Sequence, residues 1–282
     1  MTTDPAHGNT DTDTPLKAKH RAMWSLGDYP SVADELIPHL GRVLVEASEV
    51  GAGQRVLDVA AGSGNATFPA VRAGAEVVAS DLTPALLDAG AERAEQILTA
   101  AERTRLTWRE ADVEALPFED ASFDALVSCV GVMFAPHHQR AADEMLRVCR
   151  PGGTIALLSW TPTGFIGQLL ATMKPYVAPP PAGAQPPPLW GSLDHLQQLF
   201  GSGIAQMSAR TATVSVDQFA DGAAFRDYFK ANYGPVVAAY RGIAEDMART
   251  AALDAAVSDL ADRHLVDGEM HWEYLLVVAR RL

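Results

Sequence analysis

The sequence predicts an α/β protein built on a doubly wound, mostly parallel sheet under a helical cap. Three observations lead there. Short unbroken apolar runs alternate with segments of helical periodicity from Arg55 to Trp160, the pattern of strands covered on both faces by crossover helices. The first run leads into Gly62-Ser63-Gly64, a turn between a strand and a helix. Two more strand patterns come late, on either side of a long helical stretch. Right-handed crossovers then fix the winding.

Taken in order, residues 1–16 are rich in Thr, Asp, Gly and Pro and read as a disordered tail. Residues 17–50 read as cap helices broken near Gly27-Asp28-Tyr29-Pro30, with Ser31 capping a helix that carries Val32, Leu36, Leu40, Val43 and Leu44 on one face. The core, 51–162, begins with a strand at Arg55–Ala60 and a helix from Asn65 to about Gly74. A second strand, Glu76–Asp81, precedes a helix capped by Thr83, with Pro84 in its first position, running to about Ala101. Strands follow at Arg105–Arg109 and Phe123–Val130, then a helix from Pro136 and a strand at Thr154–Trp160. Residues 163–203 hold a proline-rich lid, since Pro175 to Pro188 cannot be helix or central strand, and a short helix at Ser192–Phe200. Residues 204–282 complete the sheet with strands at Met207–Val216 and His271–Ala279, around a helical insertion, 221–265, broken at Gly234-Pro235.

Composition excludes several classes. Of 282 residues, 48% are hydrophobic, enough for a substantial core. The net charge of -13 comes without a Lys/Arg cluster, so nucleic acid is not the expected partner. Cys129 and Cys149 lack neighbours at metal-ligand spacing, so no metal or disulfide is expected, and both read as buried thiols of a reducing compartment. No apolar run approaches the ~18 residues of a membrane span, and the N-terminus lacks the pattern of a signal peptide. A cytoplasmic enzyme is the natural expectation. The oligomeric state is open, with a homodimer compatible.

The chemistry centres on Val56 to Thr67. A glycine turn lets a ligand approach the backbone, and the helix start supplies free N–H groups. In a dinucleotide enzyme that end holds a pyrophosphate. Here Thr67 replaces the third glycine of that pattern, and Asp58 stands where a carboxylate would repel a pyrophosphate but suit a cationic amino acid portion. Asp81 ends the next strand, where an acid accepts the hydroxyls of an unphosphorylated ribose. Asp112, after the third strand, can take a hydrogen bond from an adenine amino group while Val113 offers its N–H.

The ordered series D-V-A-A-G-S-G, S-D-L-T-P, E-A-D-V-E-A-L-P-F, S-F-D-A-L-V and L-R-V-C-R-P-G-G resembles the class I S-adenosylmethionine-dependent methyltransferases, and within them the ubiquinone/menaquinone branch. The resemblance covers Val56 to Trp160. It implies a Rossmann-like, seven-stranded sheet with an antiparallel last strand, and S-adenosyl-L-methionine as cofactor. It also implies that Asp58 organises the glycine loop and the amino acid portion, that Ala60, Gly62, Ser63 and Gly64 make room for the cofactor, and that Asp81 with Leu82 holds the ribose. Asp112 and Val113 would hold the adenine, and Cys129 would face the methionine portion through its backbone. Ala60 fills the family's first glycine, which is tolerable where φ is negative.

Methyl transfer needs a nucleophile held close, in line and dry, with a general base where the acceptor has a proton to lose. His137 and His138 are the nearest base candidates, without an evident carboxylate partner; exposed first-turn residues are the commoner fate. Trp24 and Tyr29 are placed to close over the cofactor. Trp190, Phe225, Tyr228, Phe229 and Tyr233 line an acceptor pocket or, more often at helical spacing, pack the core. An aromatic, apolar roof favours a small, partly apolar methyl acceptor over a macromolecule. The alternatives are a nicotinamide-dependent oxidoreductase, against which Thr67, Asp58 and the Asp112 segment argue, and a protein that binds the cofactor without methylating.

Overall fold

The computed structural model describes the backbone of residues 10–282 and the side chains of 14–282. The first helix, α1, spans Thr10–Trp24 with Pro15 inside it, so the irregular tail expected to residue 16 gives way to helix by Thr10. The rest of that tail lies outside the described residues. Next come α2 (Tyr29–Leu36) and α3 (Leu40–Ser48). Ser31 does not cap this region: Asp28 does, its side chain accepting from the Ser31 N–H at 3.2 Å. The single amphipathic helix expected here is split because Pro38 forces Ile37 out of the helical region, to φ -132° and ψ 36°.

The core alternates strand and helix: β1 (Arg55–Val59), α4 (Thr67–Arg72), β2 (Glu76–Asp81), α5 (Pro84–Ile97), α6 (Ala100–Arg103), β3 (Leu106–Glu110), β4 (Phe123–Cys129), α7 (His138–Val148) and β5 (Cys149–Trp160). The helix after Thr83 stops at Ile97, because Thr99 and Glu102 form a reciprocal capping box that starts a separate turn. Thr83 holds the cap position by its backbone, with no side-chain cap bond.

The last third contains α8 (Phe165–Met173), α9 (Leu193–Phe200), β6 (Ile204–Val216), α10 (Gly222–Asn232), α11 (Gly234–Gly242), α12 (Met247–His264), the two-residue β7 (Leu265–Val266) and β8 (Glu269–Arg281). α8 lies in the segment read as lid. The insertion breaks twice, at Tyr233 as Pro235 requires and again before Asp246, whose side chain caps α12.

The sheet order is β3-β2-β1-β4-β5-β8-β6, with β7 paired only to β8. β1 to β5 pair in parallel, and β8 runs antiparallel to both β5 and β6, as expected for a Rossmann-like, mostly parallel sheet. Burial explains its stability: Val56, Leu57 and Val59 of β1 are fully covered, and each contributes about 1.5–3 kcal/mol. The order reverses between β1 and β4, the place where such sheets leave a crevice beyond their C-terminal ends. Among the described residues no helix is long and apolar enough to cross a membrane.

Candidate active site

The C-terminal ends of β1, β2 and β4 and the loop after β3 open onto one cavity of about 840 Å³, its open mouth included. Its floor is the turn after β1. The chain leaves that strand sharply, with the Ala61 N–H turned to Ser80 O at 2.9 Å. Ala60 makes the turn at φ +52°, left-handed rather than negative as the sequence reading required. An alanine there carries about 1–2 kcal/mol of strain. Gly64, at φ +100°, leaves no room for a side chain, since a Cβ would meet the Phe68 ring at 2.8 Å.

Two buried carboxylates brace this turn. Asp81 Oδ2 accepts the Gly62 N–H at 2.9 Å and Oδ1 accepts the Thr83 N–H at 2.8 Å. Burial raises the Asp81 pKa, and these N–H bonds oppose the shift. Asp58 lies behind the turn, 1% exposed and off the cavity wall. Its Oδ2 accepts the Thr67 hydroxyl at 2.6 Å, which gives the departure from the glycine pattern at Thr67 a physical reason. Burial pushes the Asp58 carboxyl up to about 7 against that hydrogen bond. Asp58 therefore braces the loop through Thr67, and its other oxygen has no partner among the described residues.

One side of the cavity is Leu82, Ala111, Asp112 and Val113. Asp112 Oδ1 accepts the Glu114 N–H at 3.0 Å and the Lys17 ammonium at 2.9 Å. Cys129, Gly131 and Phe134 line the cavity too. Val130, just beyond β4, has φ +65°, strained backbone for a β-branched residue, of the kind that clusters at functional sites. Burial, and then the Asp58 charge, push the Cys129 thiol up, so it is neutral and no nucleophile.

The roof comes from remote segments. Lys17 Nζ is 2.9 Å from both Asp112 and the buried Glu114. Arg21 donates from Nε to Leu82 O at 2.9 Å and reaches Glu110 at 2.5 Å. These bonds hold α1 across the mouth. Trp24 packs edge-on against Tyr29 (5.3 Å between ring centres), Phe134 (4.7 Å) and Tyr233 (5.8 Å). The Asp28 N–H donates to Asn232 O at 3.0 Å, joining the N-terminal helices to the insertion. Trp24 and Tyr29 line the cavity together with Lys17 and His20, which sequence reasoning missed. Helical spacing places Lys17, His20 and Trp24 near one face of α1 but does not say what that face covers.

The histidine pair is corrected. His137 does have a carboxylate partner: its Nδ1 is 2.8 Å from Glu114 Oε2, and its N–H donates to Glu114 Oε1 at 2.8 Å. His138 is fully buried, with Nδ1 2.9 Å from His195 Nε2. Burial, then His195, lower its pKa to about 4. Neither is among the residues that line the cavity, and both sit at the start of α7. Of the late aromatics, Trp190, Phe225 and Phe229 are core, the last two stacked at 4.2 Å, and Tyr228 bonds Glu35 at 2.6 Å. Tyr233 alone of this set reaches the roof rings Trp24 and Tyr29.

Residues 57–157 match the methyltransferase domain family. An uncharacterized protein of Mycobacterium tuberculosis is 51% identical over 262 residues, which cover 93% of this chain and 94% of that protein. A demethylmenaquinone methyltransferase of Paenarthrobacter aurescens is 36% identical over 120 residues, 43% of this chain and 44% of that one. The YcgJ protein of Bacillus subtilis shares the fold at TM-score 0.58 and 16% identity, over 86% of this chain and 98% of that one. The chain therefore belongs to the class I S-adenosylmethionine-dependent methyltransferases.

Proposed function

We propose that the cavity binds S-adenosylmethionine and that the enzyme methylates a small, partly apolar molecule there. One observation carries this reading: Asp81, the glycine turn, the Asp112–Val113 segment and Cys129 come from four separate strand ends to one cavity.

The residues fit the cofactor. A carboxylate offers about four acceptor sites. Asp81 is braced by the Gly62 and Thr83 N–H groups and lines the cavity, where its lone pairs would meet the ribose hydroxyls, beside Leu82. Asp112 keeps Oδ2 for an adenine amino group, and Val113 offers its N–H. Ser63 lines the cavity with a buried hydroxyl that has no partner among the described residues, a free group for the amino acid portion beside the backbone of Ala60, Gly62 and Cys129. A diphosphate fits poorly: it would meet Asp81 and Asp112, and the nearby cation, Lys17, is tied to two carboxylates.

When bound, the cofactor supplies a methyl on a good leaving group. The chain's own residues orient and dry the site. Trp24, Tyr29 and Phe134 form the apolar wall against which a modest acceptor packs. Both cysteines are free thiols, which supports a cytoplasmic setting. Calorimetry of the full chain with S-adenosylhomocysteine and with NAD tests the reading. Binding of the first and not the second is expected; tight NAD uptake without heat from the nucleoside would end it.

A further inference from the structure

His20 lies on α1 between two fixed points. Lys17 is tied to Asp112 and Glu114, and Trp24 packs against Phe134 and Tyr29. At a rise of about 1.5 Å per residue, the Cα of His20 is roughly 4.5 Å along the axis from that of Lys17 and 6 Å from that of Trp24. It is half-buried and lines the cavity. Neither ring nitrogen has a hydrogen-bond partner among the described residues. The other ionisable groups of that wall are engaged or silent. Lys17, Asp81 and Asp112 are bonded to protein, and burial holds Tyr29 and Cys129 in their neutral forms.

The surroundings keep the ring ready to take a proton. Burial first, then Lys17, lower the His20 pKa below 6.5, and His137 adds to this. Glu114 and Asp112 oppose the shift and would stabilise the imidazolium once formed.

We propose that His20 is the general base of the transfer, so that the acceptor is a proton-bearing nucleophile, a hydroxyl on a planar ring held against Trp24, Tyr29 and Phe134. A lone pair of the acceptor oxygen forms the bond to the methyl carbon. The carbon–sulfur bond breaks with its electron pair going to sulfur, and the hydroxyl proton passes to a His20 ring nitrogen. Charge balances, since the sulfonium becomes a neutral thioether while the imidazole becomes a cation. This inference rests on the methyltransferase reading of the cavity.

The test compares the full-length protein with its His20→Gln variant on two probes: 4-methylphenol, a phenol with a pKa near 10 like tyrosine, and a nitrophenol already ionised at the assay pH. His20→Gln is expected to slow methylation of 4-methylphenol on the order of 100-fold, to change the ionised probe only several-fold, and to abolish the acid limb of the wild-type pH profile. Affinity for S-adenosylhomocysteine is expected to stay within about 3-fold, the measure of an intact floor. Equal losses on both probes, or a fall in kcat/KM matched by lost nucleoside affinity, would overturn the base role and place His20 against the adenine. Wild-type protein that binds the nucleoside but methylates neither phenol would overturn the acceptor class and the base with it. Failure to bind the nucleoside at all would sink the cofactor reading instead.

Discussion

The floor of the cavity and its roof are built on different logic. The floor is local: the turn at residues 60–64, Asp81 and Asp112 each stand at the end of a strand whose neighbours fix them. Its backbone is locked by short bonds such as Gly62 N–H to Asp81 at 2.9 Å. The roof is assembled from a distance. α1 is pinned by Lys17 and Arg21 to acids near β3, and the insertion reaches it through Asn232 and Tyr233. Charge-assisted contacts over a partly open mouth are cheaper to break than a parallel sheet. On the proposed reading, cofactor recognition falls to the floor, and access and acceptor selection to the roof.

Asp81→Ala is the strongest way to break that division. It removes two N–H bonds to a carboxylate and, on the proposed reading, the ribose contacts. Hydrogen bonds to charged groups contribute about 1.5–3 kcal/mol each, so the expected loss in S-adenosylhomocysteine affinity is on the order of 100-fold by calorimetry. His137→Ala, off the wall, should stay within about 3-fold. Equal and negligible losses would remove the ribose assignment.

Lys17→Met tests the roof. Glu114 would keep its two bonds from His137 but lose its ammonium partner, and α1 would lose a tie to Asp112. The expected effect is faster release of S-adenosylhomocysteine, several-fold in stopped flow, with release less sensitive to salt than in the unaltered protein. An unchanged off-rate would show that α1 does not gate the cavity.

The same contrast explains what could be read from the sequence. The strands, the glycine turn and Asp81 were legible because each is a short run with its own periodicity or turn chemistry. The resemblance was carried by the same runs. Glu114 sat in plain view inside E-A-D-V-E-A, yet its function as the buried anchor of Lys17 and His137 depends on residues nearly a hundred positions upstream and over twenty downstream. His20 was missed for that reason. His138 misled in the other direction: its proximity to β4 suggested chemistry, but its ring faces His195 in the interior. The left-handed backbone at Val130 had no signal, since no glycine marks it. Pro38 and the Thr99–Glu102 box were local signals, and the helix boundaries they set were overridden in the reading by the longer apolar periodicity around them.

Ala60→Gly sharpens the comparison at its smallest scale. Relief of the left-handed strain at φ +52° favours the variant by about 1–2 kcal/mol. Against this, glycine gives the unfolded chain more freedom, which offsets about 0.4–1 kcal/mol. The net expectation is a gain of about 0.5 kcal/mol, near 1–2 °C in Tm for a chain of this size. If the strain serves only to make the turn, affinity for the nucleoside should be unchanged as stability rises. If the Ala60 methyl instead keeps the floor rigid for a ligand, affinity should fall while Tm rises, because a freer turn must be ordered again on binding. Calorimetry and thermal unfolding on the same variant separate the two. A variant less stable than the parent would mean that the left-handed conformation costs this alanine less than glycine's extra freedom costs the folded chain.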